Sequence, residues 1–229
     1  MSTILLIPGL LCDRTVWEPV LRLIPDAVVA DLSVQDNLTQ MARDLLAQNP
    51  GVLRVAGHSM GARVALEMAR LAPDRVERLA LLDTGIHPLK DGEAEKRAEI
   101  VRHAHEHGMQ ALADRWLPPM VWTGNHGNAA LMNSLKEMVL RRDPDLHARQ
   151  IKALVDRPDA GAYLARIACP TLLVVGREDQ WSPVSQHEDM LARLPDARLV
   201  VIDEAGHFAP VERPEAVNAA LVPFLTGDA

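Results

Sequence analysis

Aromatic side chains are scarce, with four Trp, two Phe and one Tyr among 229 residues, so an aliphatic core is expected in which each tryptophan is noticeable. Cysteine is scarcer still. Cys12 and Cys169 lie far apart in no paired spacing, which argues against a disulfide scaffold or a zinc knuckle and fits a reducing cytoplasm. No run approaches the roughly 18 apolar residues of a membrane span. The first apolar run, Ile4 to Leu11, has no basic residue ahead of it and is broken at Pro8-Gly9, so it makes a poor signal peptide. An excess of positive charge is missing too. Twenty-four Lys and Arg against 31 Asp and Glu leave a net charge of -7, which argues against nucleic acid or an anionic membrane as a partner.

What the chain does contain is 48% hydrophobic and 24% charged residues, an ordinary globular balance. Short runs of Val, Ile and Leu recur without polar alternation at Ile4 to Ile7, Val28 to Ala30, Val52 to Ala56, Leu79 to Leu82, Thr171 to Val175 and Leu199 to Ile202. Such runs suit strands buried on both faces. Helical spacing fills the intervals at Asn37 to Gln48, Met60 to Leu71, Val184 to Leu194 and Val211 to Leu225. The alternation predicts an α/β fold with a mostly parallel sheet of about six strands flanked by helices. Residues 87–166 hold no strand-like run and read as polar amphipathic helices. The expected organisation is therefore a core of residues 1–86 and 167–229 with a helical cap insertion at 87–166.

The strongest local signal is Gly57-His58-Ser59-Met60-Gly61, a G-x-S-x-G between a predicted strand and a predicted helix. Side chains at the two glycines would collide with neighbouring elements if the serine sits on a strained turn. A serine hydroxyl is a weak nucleophile and needs a base and a group to orient that base. Asp179 and His207 follow the fifth and sixth predicted strands. Loops after parallel strands converge at the carboxyl edge of the sheet, where Ser59, Asp179 and His207 can meet. Each residue alone has a plain structural alternative, as helix cap, turn former or loop histidine; Asp83 and Asp203, which also end strands, compete with Asp179. An oxyanion needs two fixed donors, and the Leu10 and Met60 N–H groups are placed to supply them.

In PGL, GHSMGA, GREDQWSP and EAGHFAPVERPEAV the chain resembles the α/β-hydrolase superfamily, in particular its small cap-bearing esterase and C–C hydrolase branch. Pro8 stands where the family more often has His-Gly, Ala62 replaces a common second glycine, and the usual antiparallel opening hairpin is missing. The resemblance assigns the acid to Asp179. It implies a serine hydrolase that cleaves small acyl esters through an acyl-enzyme, with no metal or organic cofactor. The alternatives are a C–C bond hydrolase or lyase using the same triad and, in a different class, a non-catalytic ligand-binding relative, which the intact triad opposes. Leu11, Trp122, Trp181 and Phe208 are the candidate substrate contacts, with Trp116 also in the cap. His103, His105 and His107 read as exposed cap histidines rather than metal ligands, and Cys12 as a structural or pocket residue. A small acyl compound is the only partner these residues suggest, and they say nothing of oligomeric state.

Overall fold

The computed structural model describes residues 2–227. Six strands, β1 (Thr3–Ile7), β2 (Val28–Val29), β3 (Leu53–His58), β4 (Val76–Leu82), β5 (Thr171–Gly176) and β6 (Ala197–Ile202), form one sheet in the order β2-β1-β3-β4-β5-β6. Every neighbouring pair is parallel. β1, β3, β4 and β5 are buried along most of their length, as their unbroken apolarity requires, whereas the edge strands β2 and β6 are half open to solvent.

The helices are α1 (Glu18–Leu21), α2 (Leu38–Gln48), α3 (Met60–Leu71), α4 (Glu93–Trp116), α5 (Ala129–Leu140), α6 (Pro144–Val155), α7 (Val184–Arg193), α8 (Ala209–Glu212) and α9 (Pro214–Thr226). α3 packs on β1, β3 and β4, α7 on β5 and β6, and α9 spans β3 to β6. Asn37 caps α2 by accepting from the Gln40 N–H at 3.0 Å, and Asp143 caps α6 by accepting from Leu146 at 2.7 Å. Between β4 and β5 the described chain has no strand and builds α4, α5, α6 and several 3₁₀ turns. α4 bends at Gly108, whose φ of 82° leaves the helical region.

Two expectations need correction. The strand expected at Val28 to Ala30 shrinks to two residues at the sheet edge, with Val28 exposed. The single helix expected over Val211 to Leu225 breaks at Arg213, because a residue before proline is pushed out of the helical region, and Arg213 takes φ -137° and ψ 61° ahead of Pro214.

The strand order changes direction at β1: β2 lies on one side and β3 on the other. Loops leaving β1 and β3 therefore part at the carboxyl edge and open a crevice, the binding position of open α/β sheets. Leu10 follows β1, and Ser59 follows β3. No helix among the described residues is long and apolar enough to cross a membrane.

Candidate active site

Among the described residues four non-glycine positions have positive φ, and all lie after strands: Leu11 (58°) after β1, Ser59 (54°) after β3, Asp83 (50°) after β4 and Glu204 (57°) after β6. Backbone strain thus collects along one edge of the sheet. At Ser59 two flanking glycines permit it. A Cβ on Gly57 would come within 2.5 Å of the Ala62 nitrogen, and one on Gly61 within 2.6 Å of the Pro8 carbonyl oxygen. Helix α3 can therefore start directly against β3 and the β1 loop, with Ser59 at the turn. The Ser59 N–H donates to Leu82 O at 2.8 Å and its carbonyl accepts from Thr84 Oγ1 at 3.0 Å, so the turn is braced from β4.

Three of the expected residues form a continuous hydrogen-bonded line. Ser59 Oγ lies 2.8 Å from His207 Nε2, and His207 Nδ1 lies 2.8 Å from Asp179 Oδ2. Asp179 Oδ1 accepts from the Trp181 and Ser182 N–H groups at 2.8 and 2.9 Å. Burial works to raise the Asp179 pKa. The facing His207 charge and its hydrogen bond, helped by the two N–H donors, outweigh burial and hold the carboxyl below its ordinary value.

The competing acids are placed elsewhere. Asp203 is exposed and pairs with Arg177. Asp83 is fully buried and accepts from the Gly176 N–H at 2.9 Å, while its Oδ2 has no hydrogen-bond partner. Burial, reinforced by the Asp179 charge, drives the Asp83 pKa well above the carboxylate range. The two carboxyl groups are thus pushed in opposite directions, Asp83 toward its neutral form and Asp179 toward its ionised one. His58 separates Asp83 from His207: its Nε2 lies 2.7 Å from His207 O and 3.8 Å from Asp83 Oδ2. Burial, then the charge of His207, pushes the His58 pKa down to about 3, so its ring is neutral.

Leu10 and Met60 line one cavity with Ser59, a space of about 510 Å³. A second recess of about 20 Å³ opens beside Ser59 and His207 against Leu10, Trp116, Met120 and Phe208. Trp181 lines both spaces and is half exposed. Trp116 also lines both, and its ring meets Phe208 edge-on at 6.1 Å.

Two expected substrate contacts are not in either space. Leu11 is fully buried, because its positive φ turns the side chain into the core. Its N–H donates to Gln150 Oε1 at 2.8 Å. Trp122 lies under the Arg213 guanidinium, 5.2 Å from its ring centre, and folds over Gly124. Cys12 is buried beside the small recess, and burial pushes its thiol up to about 12, so it is a poor nucleophile at neutral pH. No three His, Cys, Asp or Glu side chains among the described residues group as metal ligands would, and the His103 and His107 rings meet at a 58° tilt with centres 4.8 Å apart.

The structure adds residues that sequence reasoning missed. Glu212, five positions after His207, is buried and accepts from the Gly206 and Phe208 N–H groups at 2.9 and 3.2 Å. It also accepts from Trp122 N and Asn125 Nδ2, at 2.9 and 3.0 Å. The His207 N–H donates to Met120 O at 2.7 Å. Gln150 does for the β1 loop what Glu212 does for the His207 loop. The only local signal for Glu212 is that it directly follows the apolar run Phe208 to Val211 after His207. Gln150, whose partner is 139 residues away, has no local signal.

A parallel α/β sheet with a serine on a strained turn after β3, and an acid and a histidine after β5 and β6, defines the α/β-hydrolase class. The chain belongs to the alpha/beta hydrolase family, which matches residues 4–220. It is similar to a candidate carbamate hydrolase named RutD in Pseudomonas savastanoi pv. phaseolicola, 29% identical over 86% of this chain and 78% of the relative. It also resembles a pimeloyl-[acyl-carrier protein] methyl ester esterase of Nitrosomonas europaea, 28% identical over 79% and 74% of the two chains. Among solved structures, a thermophilic esterase from Thermogutta terrifontis superposes with a TM-score of 0.89 at 28% identity, covering 99% of this chain and 90% of the other. The protein is thus an α/β-hydrolase enzyme.

Proposed function

We propose that the protein hydrolyses small acyl esters through an acyl-enzyme on Ser59. The observation that carries this reading is the line Ser59 Oγ, His207 Nε2, His207 Nδ1, Asp179 Oδ2, with both hydrogen bonds at 2.8 Å. Ser59 Oγ attacks the ester carbonyl while His207 Nε2 takes its proton. Asp179 holds the proton on Nδ1 and stabilises the imidazolium that forms. The tetrahedral oxyanion is received by the N–H groups of Leu10 and Met60, the latter at the N-terminus of α3, where the helix dipole favours negative charge. His207 returns the proton to the departing alcohol. Water, deprotonated by the same imidazole, then cleaves the acyl-serine and restores the enzyme.

The small recess beside Ser59 suits a short apolar group, and the larger cavity takes the rest of the substrate. Residues 87–166 act as the cap over this cavity, through Ile100, Trp116, Ile151 and Leu154. No metal or organic cofactor enters the mechanism. The working compartment in this reading is the cytoplasm, in keeping with the free thiols of Cys12 and Cys169.

A fluorophosphonate probe and p-nitrophenyl butyrate test the reading. The parent should be labelled at Ser59 and turn the ester over; Ser59→Ala should do neither while keeping its melting temperature. Labelling at Cys12 or another serine would overturn the assignment, and cleavage of a vinylogous diketone in preference to esters would move the activity to the C–C bond.

A further inference from the structure

Helix α3 is buried at every position from Met60 to Ala69, and one of those positions is an arginine. Arg63, one helical turn beyond Ser59, is 8% exposed and lines the 510 Å³ cavity that Ser59, Leu10 and Met60 also line. A guanidinium in such a place normally faces a carboxylate. Arg63 makes no ion pair among the described residues. Its hydrogen bond is a long one, Nη1 to the His87 carbonyl oxygen at 3.3 Å.

Its surroundings do not supply the missing charge. Glu93, the carboxylate whose charge bears on Arg63, is taken by Arg97 at 2.8 Å and by Arg157 at 2.6 Å. Arg157 also donates to the carbonyl oxygens of His87, Pro88 and Leu154. Arg97 and Arg157 thus take up the one carboxylate, and Arg63 is left beside them without it. The histidines of this wall do not offset the imbalance: burial first, then neighbouring cations, holds His87 and His147 down to about 4, so both are neutral. For Arg63, burial and the like charges of Arg157 and Arg97 lower the pKa to about 9, which leaves it a cation at neutral pH. A buried cation without a counter-ion is unfavourable, and an anion in the cavity would relieve it. The flat fork of a guanidinium matches a carboxylate through two parallel hydrogen bonds. Apolar walls at Ile100, Ile151, Leu154 and Trp116 suit a methylene chain in the same space.

We propose that Arg63 sets the substrate class, and that the preferred ester carries a second, free carboxylate, as in the half-ester of a short dicarboxylic acid. The proposal rests on the serine-hydrolase reading and narrows it. Hydrolysis then adds water across the ester bond, releases the alcohol and leaves the dicarboxylate.

The experiment compares monoethyl adipate with ethyl hexanoate, which share a six-carbon acyl chain and differ in the terminal carboxylate, by titrating the acid released. The parent should favour the half-ester in kcat/KM by about 10- to 100-fold, the range of a charge-assisted hydrogen bond, with the difference lying in KM. Arg63→Met should collapse that ratio toward one, and Arg63→Lys should restore part of it. Equal kcat/KM for the two esters in the parent, or a preference that survives in Arg63→Met, overturns the proposal. Should Arg63→Met fail to fold, Ser59→Ala supplies a second reading: adipate should raise its melting temperature more than hexanoate does at equal concentration, and equal shifts overturn the proposal. Failure of the parent to cleave either ester, with the adipate shift intact, would instead count against the ester reading and leave Arg63 as the anion-binding group.

Discussion

His58 donates its Nε2–H to the carbonyl oxygen of His207 at 2.7 Å, so the residue just before Ser59 holds the backbone of His207. A carbonyl oxygen only accepts, which fixes the proton on Nε2 and leaves Nδ1 bare. Nδ1 has no partner, and a Cβ placed on Gly9 would lie 3.0 Å from it. His58→Leu keeps much of the volume and leaves the His207 carbonyl unpaired. We expect a stability loss of about 1–3 kcal/mol. Because this contact positions His207 without touching substrate, kcat should fall about tenfold with KM within roughly twofold, as for an interaction felt mainly in the transition state.

Asp179 and its rivals separate by substitution to Asn. Asp179→Asn keeps the shape but accepts poorly from His207 Nδ1–H, and kcat should drop by about 10⁴, as in the serine-protease precedent. Asp203→Asn removes only an exposed pair with Arg177 and should stay within about twofold of the parent. Ester kcat at neutral pH, measured for both, checks the assignment.

Glu212 gathers four donors from two segments, which offset only part of the upward push that burial gives its carboxyl. Glu212→Ala should lower stability by about 3 kcal/mol, read from urea midpoints, because four buried donors lose their acceptor. The His207 loop loosens with it, so kcat should fall as well; Glu212→Gln should recover part of both.

Gln150 offers the matching test on the opposite loop. Gln150→Leu leaves the buried Leu11 N–H without an acceptor, at a cost of about 1–3 kcal/mol. The adjacent Leu10 N–H should then point less well at the oxyanion. A kcat loss larger than the KM change, together with a lower melting temperature, is the expected pattern.

Stability should decline as pH falls below about 6.5. His58 and His187 are pushed down to about 3 and about 4, in both cases by burial first. His187 Nε2 accepts from the Thr84 N–H at 3.2 Å and loses that role when protonated. Between the folded and unfolded values the unfolded chain binds more protons, so acid favours unfolding, by a few kcal/mol in the order-of-magnitude sense. Asp83 acts in the opposite direction, since its folded form retains a proton that the unfolded chain releases above about 3.8. Urea midpoints between pH 7 and 4.5 should therefore fall in the parent, fall less in His187→Gln and fall more in Asp83→Asn.

The sheet and the line of Ser59, His207 and Asp179 were legible because each rests on a local signal: an apolar run for each strand, and at its end a residue whose chemistry is rare in a plain turn. What stayed hidden depends on distant chain. Leu11 follows Leu10 in sequence, yet a positive φ sends their side chains to different places. Trp122 was expected in the pocket because it is aromatic and in the inserted segment, but Arg213, distant in sequence, holds its ring. Trp116 lines the pocket instead. Arg63 carried a readable signal, since it and Glu67 are the two charged residues on the buried turns of α3; Glu67 finds its partners in Arg70, Thr39 and Tyr163, and for Arg63 it is the cavity that supplies a purpose.

The helical segment between β4 and β5 grips both loops that flank Ser59. Gln150 and Arg142 hold the β1 loop at Leu11 N and Cys12 O, and Met120, Trp122 and Asn125 meet the His207 loop, the last two through Glu212. Swinging this segment aside as a hinged door would drag the loops of Leu10 and His207 out of line with Ser59. Traffic of substrate and product is better served by a standing gateway than by a door, and the half-exposed Trp181, at the rim of both spaces, stands at that gateway.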